Sequence, residues 1–160
     1  MTSTTFTAPV PARPRLRELP REHWTRVLNQ HFATGLSGWL GYDTLLIESG
    51  RVEARLELRD ELLMRAGDYL HAGTVVAFAD SVAGFGALAS LPDHAEGFTT
   101  AELKVNLVAT TRGGDALLAV GSLVHDGRTT QVWDVTVSRE HDGRPVGHFR
   151  ATQYLLDRER

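Results

Sequence analysis

Asp80 is the one residue whose chemistry its surroundings in this 160-residue sequence do not explain. It stands between Ala79 and Ser81, inside residues 73–90, a proline-free stretch rich in alanine, valine and phenylalanine. That stretch is too long for one strand and too apolar for a surface element, so it is predicted to be a buried helix. A carboxylate buried without partners is very costly; Asp80 must be paired, protonated or placed at a cavity. Its neighbours at helical spacing, Gly73, Val76, Ala77, Ala83 and Gly84, are mostly small and leave room beside it for a ligand. A hydrogen-bonded packing role in the core or between subunits fits the same pattern. Just upstream, Tyr69-Leu70-His71-Ala72-Gly73 reads as the turn into the helix. The unsatisfied N–H groups that follow such a turn stabilise developing negative charge, as on a carbonyl oxygen under nucleophilic attack. One helix thus carries a candidate oxyanion hole and a carboxylate about two turns apart.

The elements that must hold this helix are legible as periodicities. In residues 21–32, Trp24, Val27, Leu28 and His31/Phe32 recur at helical spacing. Gly35, Gly38 and Gly41 interrupt the pattern, and Tyr42, Thr44, Leu45, Leu46 and Ile47 suit a strand ending at the turn Ser49-Gly50. Residues 51–58 alternate strictly, with Val52, Ala54, Leu56 and Leu58 on one side and Arg51, Glu53, Arg55 and Glu57 on the other, the mark of a half-buried antiparallel strand. Beyond the helix, four strands are predicted at 99–109, 116–125, 130–139 and 146–156, arranged as a meander. Their turns contain Arg112-Gly113-Gly114-Asp115, Asp126-Gly127 and Asp142-Gly143. The expected fold class is α+β: a curved antiparallel sheet of about six strands wrapped around a long central helix. A helix that is apolar on every side needs cover on every side, and one sheet cannot supply it all, so the chain is expected to dimerise.

Composition narrows the chemistry. With no cysteine there is no disulfide framework, thiolate metal site or cysteine nucleophile. A net charge of −3 without a basic cluster argues against nucleic acid as a partner. The most apolar run contains Asp80 and Ser81, so no membrane span is expected. Residues 1–20 hold four of the six prolines and no signal-peptide core, and read as a flexible tail before a single domain at 21–160, placed in the cytoplasm. His71 alone reads most simply as a helix cap. His94, His125, His141 and His148 fall in or beside turns, and there is no metal-binding motif.

The stretch HAGTVVAFADSVAG, residues 71–84, resembles the His-Gly-Gly signature and following helix of hotdog-fold acyl-CoA thioesterases of the phenylacetate-degradation and 4-hydroxybenzoyl-CoA type. The likeness continues through AELKVNLVATTRGGDALLAVGSLVHDGRTTQVWDVTV, residues 101–137, and covers about residues 40–156. It implies that Asp80, nine residues after His71, is the catalytic acid, attacking the thioester carbonyl to give an anhydride or activating a water. It implies that the Ala72 N–H binds the carbonyl oxygen, with Gly73 as the second glycine, and that Ser81 places a hydroxyl near the water or acyl group. Two positions depart from the family pattern. Arg65 replaces the usual Gln or Asn six residues before the histidine, where it can pair with Asp80 or turn outward. Gly84 replaces a frequent Ser or Thr four residues after the acid.

The resemblance further places the coenzyme A phosphates near Thr110, Thr111 and Arg112, with no cofactor beyond coenzyme A as part of the substrate, and implies a homodimer or homotetramer. Phe78, Phe85 and Leu88 would suit an aromatic or medium aliphatic acyl group. Two other functions are compatible with the sequence. One is an acyl-CoA-binding module without catalysis, suggested by Arg65 and Gly84. The other is an enoyl-CoA hydratase or dehydratase using His71 and Asp80, although the Asp-x-x-x-x-His pattern of that branch is absent.

Overall fold

The alternation of residues 51–58 becomes burial: Val52, Ala54, Leu56 and Leu58 all face the core, while Arg51 and Glu57 face solvent. The computed structural model describes residues 16–64 and 68–157, without the side chain of Arg17. Helices α1 (Trp24–His31) and α2 (Gly35–Leu40) precede strands β1 (Asp43–Glu48) and β2 (Arg51–Glu57). The central helix α3 (Ala72–Ala89) follows, then β3 (Ala95–Leu107), β4 (Ala116–Asp126), β5 (Thr130–Arg139) and β6 (Pro145–Asp157). The six strands form one antiparallel sheet in the order β1-β2-β4-β5-β6-β3, and α3 packs against all of them. This is the hotdog architecture.

Helix α3 has the length and apolarity of a membrane-crossing segment, but 61% of it is buried within the protein, where it serves as the core helix. Phe78, Ala79, Val82, Ala83 and Ala87 are fully enclosed. Gly86 marks the closest approach to the sheet. A Cβ there would lie 2.5 Å from the ring of Trp133, itself fully buried on β5. Leu16 is also buried in the core, so the folded domain reaches back at least that far into the stretch read as a tail; residues 1–15 lie outside the described residues.

Two expectations are corrected. The meander holds only for β4, β5 and β6, because β3 lies at the far edge of the sheet, paired with β6 instead of β4. Residues 108–115 therefore cross over β6 and β5 to reach β4. That span is roughly 14 Å at about 4.8 Å per strand, within the reach of eight residues. The polar, exposed Glu102, Lys104 and Asn106 suit β3 to an edge, whereas Ala116, Leu117 and Ala119 suit β4 to the interior. The glycines before β1, read as a break, instead frame α2. Gly35 and Gly41 bracket it at positive φ, Gly41 in the left-handed C-cap conformation. The Arg59 guanidinium donates to the carbonyls of Trp39 and Leu40 and stacks on the Trp39 ring at 5.1 Å, completing that cap.

Gly86→Ala will force the added methyl into Trp133 and destabilise the fold by about 2–3 kcal/mol, measured as a lower urea midpoint with an unchanged slope.

Candidate active site

The sequence puts Asp80 in the middle of α3, and the fold leaves it half-buried beside one polar neighbour that the sequence reading missed. Thr100, on β3, donates its hydroxyl proton to Asp80 Oδ1 at 2.9 Å. A β-bulge between Thr100 and Glu102 shifts the β3–β6 register at this point, a device that re-aims a side chain. The same Thr100 Oγ1 lies 3.1 Å from Oε1 of Gln153, a fully buried residue of β6 whose Nε2 has no partner among the described residues. Arg65, expected either to pair with the acid or to turn outward, lies outside the described residues.

Ser81 is half-buried and back-bonds to the Ala77 carbonyl at 2.8 Å, which leaves its oxygen free to accept. Across from it stands Tyr42, at the entrance to β1. Burial raises the Tyr42 phenol above its ordinary pKa; Ser37 and Ser81 pull it partly back, and the charge of Asp80 adds to the rise. Neither serine completes a full hydrogen bond with the hydroxyl. Tyr42 packs against Phe78 and Phe85, at centroid distances of 5.3 and 5.7 Å, and forms a wall of a cavity of about 210 Å³ between α1, α2 and α3. Leu28, Phe32, Ser37 and Phe85 also line it. Of the three residues expected to line an acyl pocket, only Phe85 reaches this cavity; Phe78 and Leu88 are closed into the core.

At the start of α3, His71 is the N-cap. Its Nδ1 accepts from the Gly73 N–H at 2.9 Å, and its carbonyl accepts from the Thr74 N–H at 3.0 Å. This fixes the Nε2–H tautomer while the ring is neutral. Gly73 therefore has no free N–H, and Ala72 is left as the first-turn donor without a partner among the described residues. Ala72 sits in ordinary helical backbone, so its methyl group is no obstacle. Gly84, read as leaving room for a ligand beside Asp80, is instead buried beneath Phe98: a Cβ there would lie 3.1 Å from the ring. The side-chain hydroxyl that reaches the acid comes from Thr100.

The loop after β3 docks on the entrance to α3 through the Leu70 N–H to Thr111 carbonyl bond at 2.9 Å. Thr111 is buried, with its hydroxyl donated to Asp115 at 2.7 Å. Thr110 and Arg112 are exposed. Arg112 lies over the Tyr69 ring at 4.6 Å and donates to its hydroxyl at 2.7 Å. Together with Arg139 and His141 they line an open cavity of about 520 Å³. Tyr69, Arg139 and His141 were not foreseen, because only the fold brings them beside Arg112. Among the described residues no three His, Asp or Glu side chains converge as a metal site.

The profile of the Thioesterase superfamily matches residues 67–146, half of the chain, including the whole of α3 and the Arg112 loop. The chain is 31% identical over 107 residues to the 1,4-dihydroxy-2-naphthoyl-CoA hydrolase of Listeria monocytogenes, a match covering 66% of this chain and 84% of that protein. Among solved structures, a Streptococcus mutans protein bound to acetyl-CoA superposes with TM-score 0.67 at 27% identity, covering 75% of this chain and 92% of the other. A Haemophilus influenzae thioesterase, at 20% identity, shares the fold with TM-score 0.77 over 85% of this chain and 92% of its own. The chain thus belongs to the thioesterase superfamily and is a thioester hydrolase.

Proposed function

We propose that the protein hydrolyses the thioester of an acyl-CoA, with Asp80 as the carboxylate that attacks the carbonyl or activates the attacking water, and the Ala72 N–H as oxyanion donor. The observation that carries this reading is the half-buried Asp80 in the middle of the central helix, held on one oxygen by Thr100 and bordered by small residues. Thr100 also weakens the case for a binding module, since the polar group missing at Gly84 is supplied from β3.

Helix geometry supports an oligomeric site. Eight residues separate Ala72 from Asp80, about 12 Å along the axis at about 1.5 Å per residue. A carbonyl oxygen in its hole and the carboxylate or water acting on the adjacent carbon must each lie within about 3 Å. One copy of α3 cannot serve one thioester with both groups, so the oxyanion donor of one subunit meets Asp80 of another. The 13-residue β3, an edge strand beside the half-buried Val76, Ala77, Asp80 and Ser81, is the surface for that pairing. The chain is accordingly a homodimer or a homotetramer of such dimers.

For the acyl group, a cavity of about 210 Å³ walled by Phe32, Tyr42 and Phe85 favours a single aromatic ring or a medium aliphatic chain. A dry cavity of about 150 Å³ already accepts benzene. The relative in Listeria monocytogenes, whose name gives it a two-ring acyl group, supports the aromatic choice. Arg112, stacked on Tyr69 beside the entrance to α3, would take a coenzyme A phosphate. Such a substrate suits a cytoplasmic enzyme.

Three outcomes are expected. Thiol release from a panel of benzoyl, phenylacetyl and medium-chain acyl-CoAs will fall about a hundredfold or more in Asp80→Asn; turnover equal to the parent would remove the carboxylate from the mechanism. Arg112→Ala will raise KM for coenzyme A thioesters about tenfold and leave KM unchanged for thioesters of a short thiol lacking phosphates. Sedimentation at micromolar concentration will show a dimer or larger, and a monodisperse monomer would exclude the shared site.

A further inference from the structure

We propose that Gln153 is a positioning residue for the reaction, acting through Thr100 to hold Asp80 in its working orientation; this rests on Asp80 being the reacting carboxylate. The two residues are cross-strand partners, Thr100 on β3 and Gln153 on β6, immediately beside the bulge at Thr100/Glu102. Gln153 is fully buried, so its amide must find partners within the protein. Its neighbour on β5, Gln131, cannot help. Gln131 Nε2 is committed to the Ser90 carbonyl and to Asp126, and its oxygen accepts from Trp133.

Thr100 has a single hydroxyl proton and two acceptors around it, Asp80 Oδ1 at 2.9 Å and the end of the Gln153 amide at 3.1 Å. As the amide stands, with its oxygen toward Thr100, two acceptors compete for one proton and Nε2 has no partner among the described residues. The amide oxygen and nitrogen are interchangeable in shape, and presenting Nε2 ends the competition and gives that nitrogen an acceptor. Gln153 then donates to Thr100 Oγ1, and the only proton of Thr100 is directed at Asp80. The chain Gln153 to Thr100 to Asp80 runs one way and ends on a carboxylate, the stronger kind of acceptor. Among the described residues only Oδ1 of Asp80 is hydrogen-bonded, so the relay leaves Oδ2 as the oxygen that meets the thioester or its water.

The test is a double-mutant cycle read in kcat and KM with the best thioester of the panel. Gln153→Leu is expected to lower kcat about tenfold, the effect of one well-placed hydrogen bond, with KM within about twofold. In a Thr100→Val background the same substitution is expected to cost nothing further, because the group through which it acts is gone. An unchanged kcat in Gln153→Leu would overturn the proposal, as would an equal fold loss in both backgrounds, which is the signature of a purely structural role. Gln153→Met, close to glutamine in volume, replaces the leucine variant if that one does not fold. Asp80→Asn measured alongside separates the two readings. Turnover surviving in Asp80→Asn removes Asp80 itself, whereas loss in Asp80→Asn with an additive cycle removes only the relay.

Discussion

A carboxylate on a helix that has to be enclosed is the constraint from which the rest of this structure follows. Helix α3 is apolar because the sheet wraps it, and its glycines and alanines let the sheet come close, down to the contact of Gly86 with Trp133. Every step toward closer packing makes an ionised group in the middle of that helix more expensive, because water is excluded along with everything else. The fold resolves the conflict by leaving Asp80 on the flank of α3 that faces β3, the edge strand, where cover is incomplete. The bulge in β3 then supplies one hydroxyl at the right place. Edge position and bulge are weaknesses in a sheet taken alone. Here they make room for a carboxylate that a regular central strand would have sealed off.

The long axis of α3 imposes a second separation. Its N-terminus is fixed by the sheet-crossing loop after β3, through Leu70 and Thr111, and Asp80 is fixed by β3 itself, so the two ends of the proposed chemistry hang on the same strand and its exit loop. The end proposed for binding is the less buried of the two: Thr110 and Arg112 are exposed, whereas the groups around Asp80 are half or fully buried. That division suits the proposed shared site, in which the exposed helix entrance of one subunit works with the half-buried acid of another.

How far the sequence could be read depended on whether the relevant neighbours were local. Strict alternation in residues 51–58, the turns at Ser49-Gly50, Asp126-Gly127 and Asp142-Gly143, and the apolar run around Asp80 are local signals, and each corresponds to an element in place. The position of β3 is not local. The polar residues of 95–107 suit an edge but do not name β6 as the partner, and the chain-order reading as a meander failed for that reason. The partners of Asp80 follow from that pairing: Thr100 is twenty residues away in sequence and Gln153 fifty-three residues beyond Thr100. A threonine beside an alanine on a predicted strand carries no mark of a helix across the sheet. Two buried glutamines, Gln131 and Gln153, at inward positions of adjoining strands were the available hint, since an amide on an otherwise apolar face requires a polar partner. Gly84 shows the opposite error, a family position read as a gap in the site when the ring of Phe98 accounts for the missing side chain.

His71 shows how a capping residue can shape the proposed oxyanion site without touching the substrate. The first turn of a helix offers several N–H groups, and a histidine that accepted from none of them would leave a diffuse cluster of donors. By taking the Gly73 N–H on its ring and the Thr74 N–H on its carbonyl, His71 leaves the Ala72 N–H as a first-turn donor without a partner among the described residues, aligned with the positive end of the helix dipole. A single oriented donor of this kind contributes about 3–4 kcal/mol of transition-state stabilisation in enzymes where one has been removed. Alanine is tolerated at this position because the backbone there is ordinary helix that a methyl group does not strain.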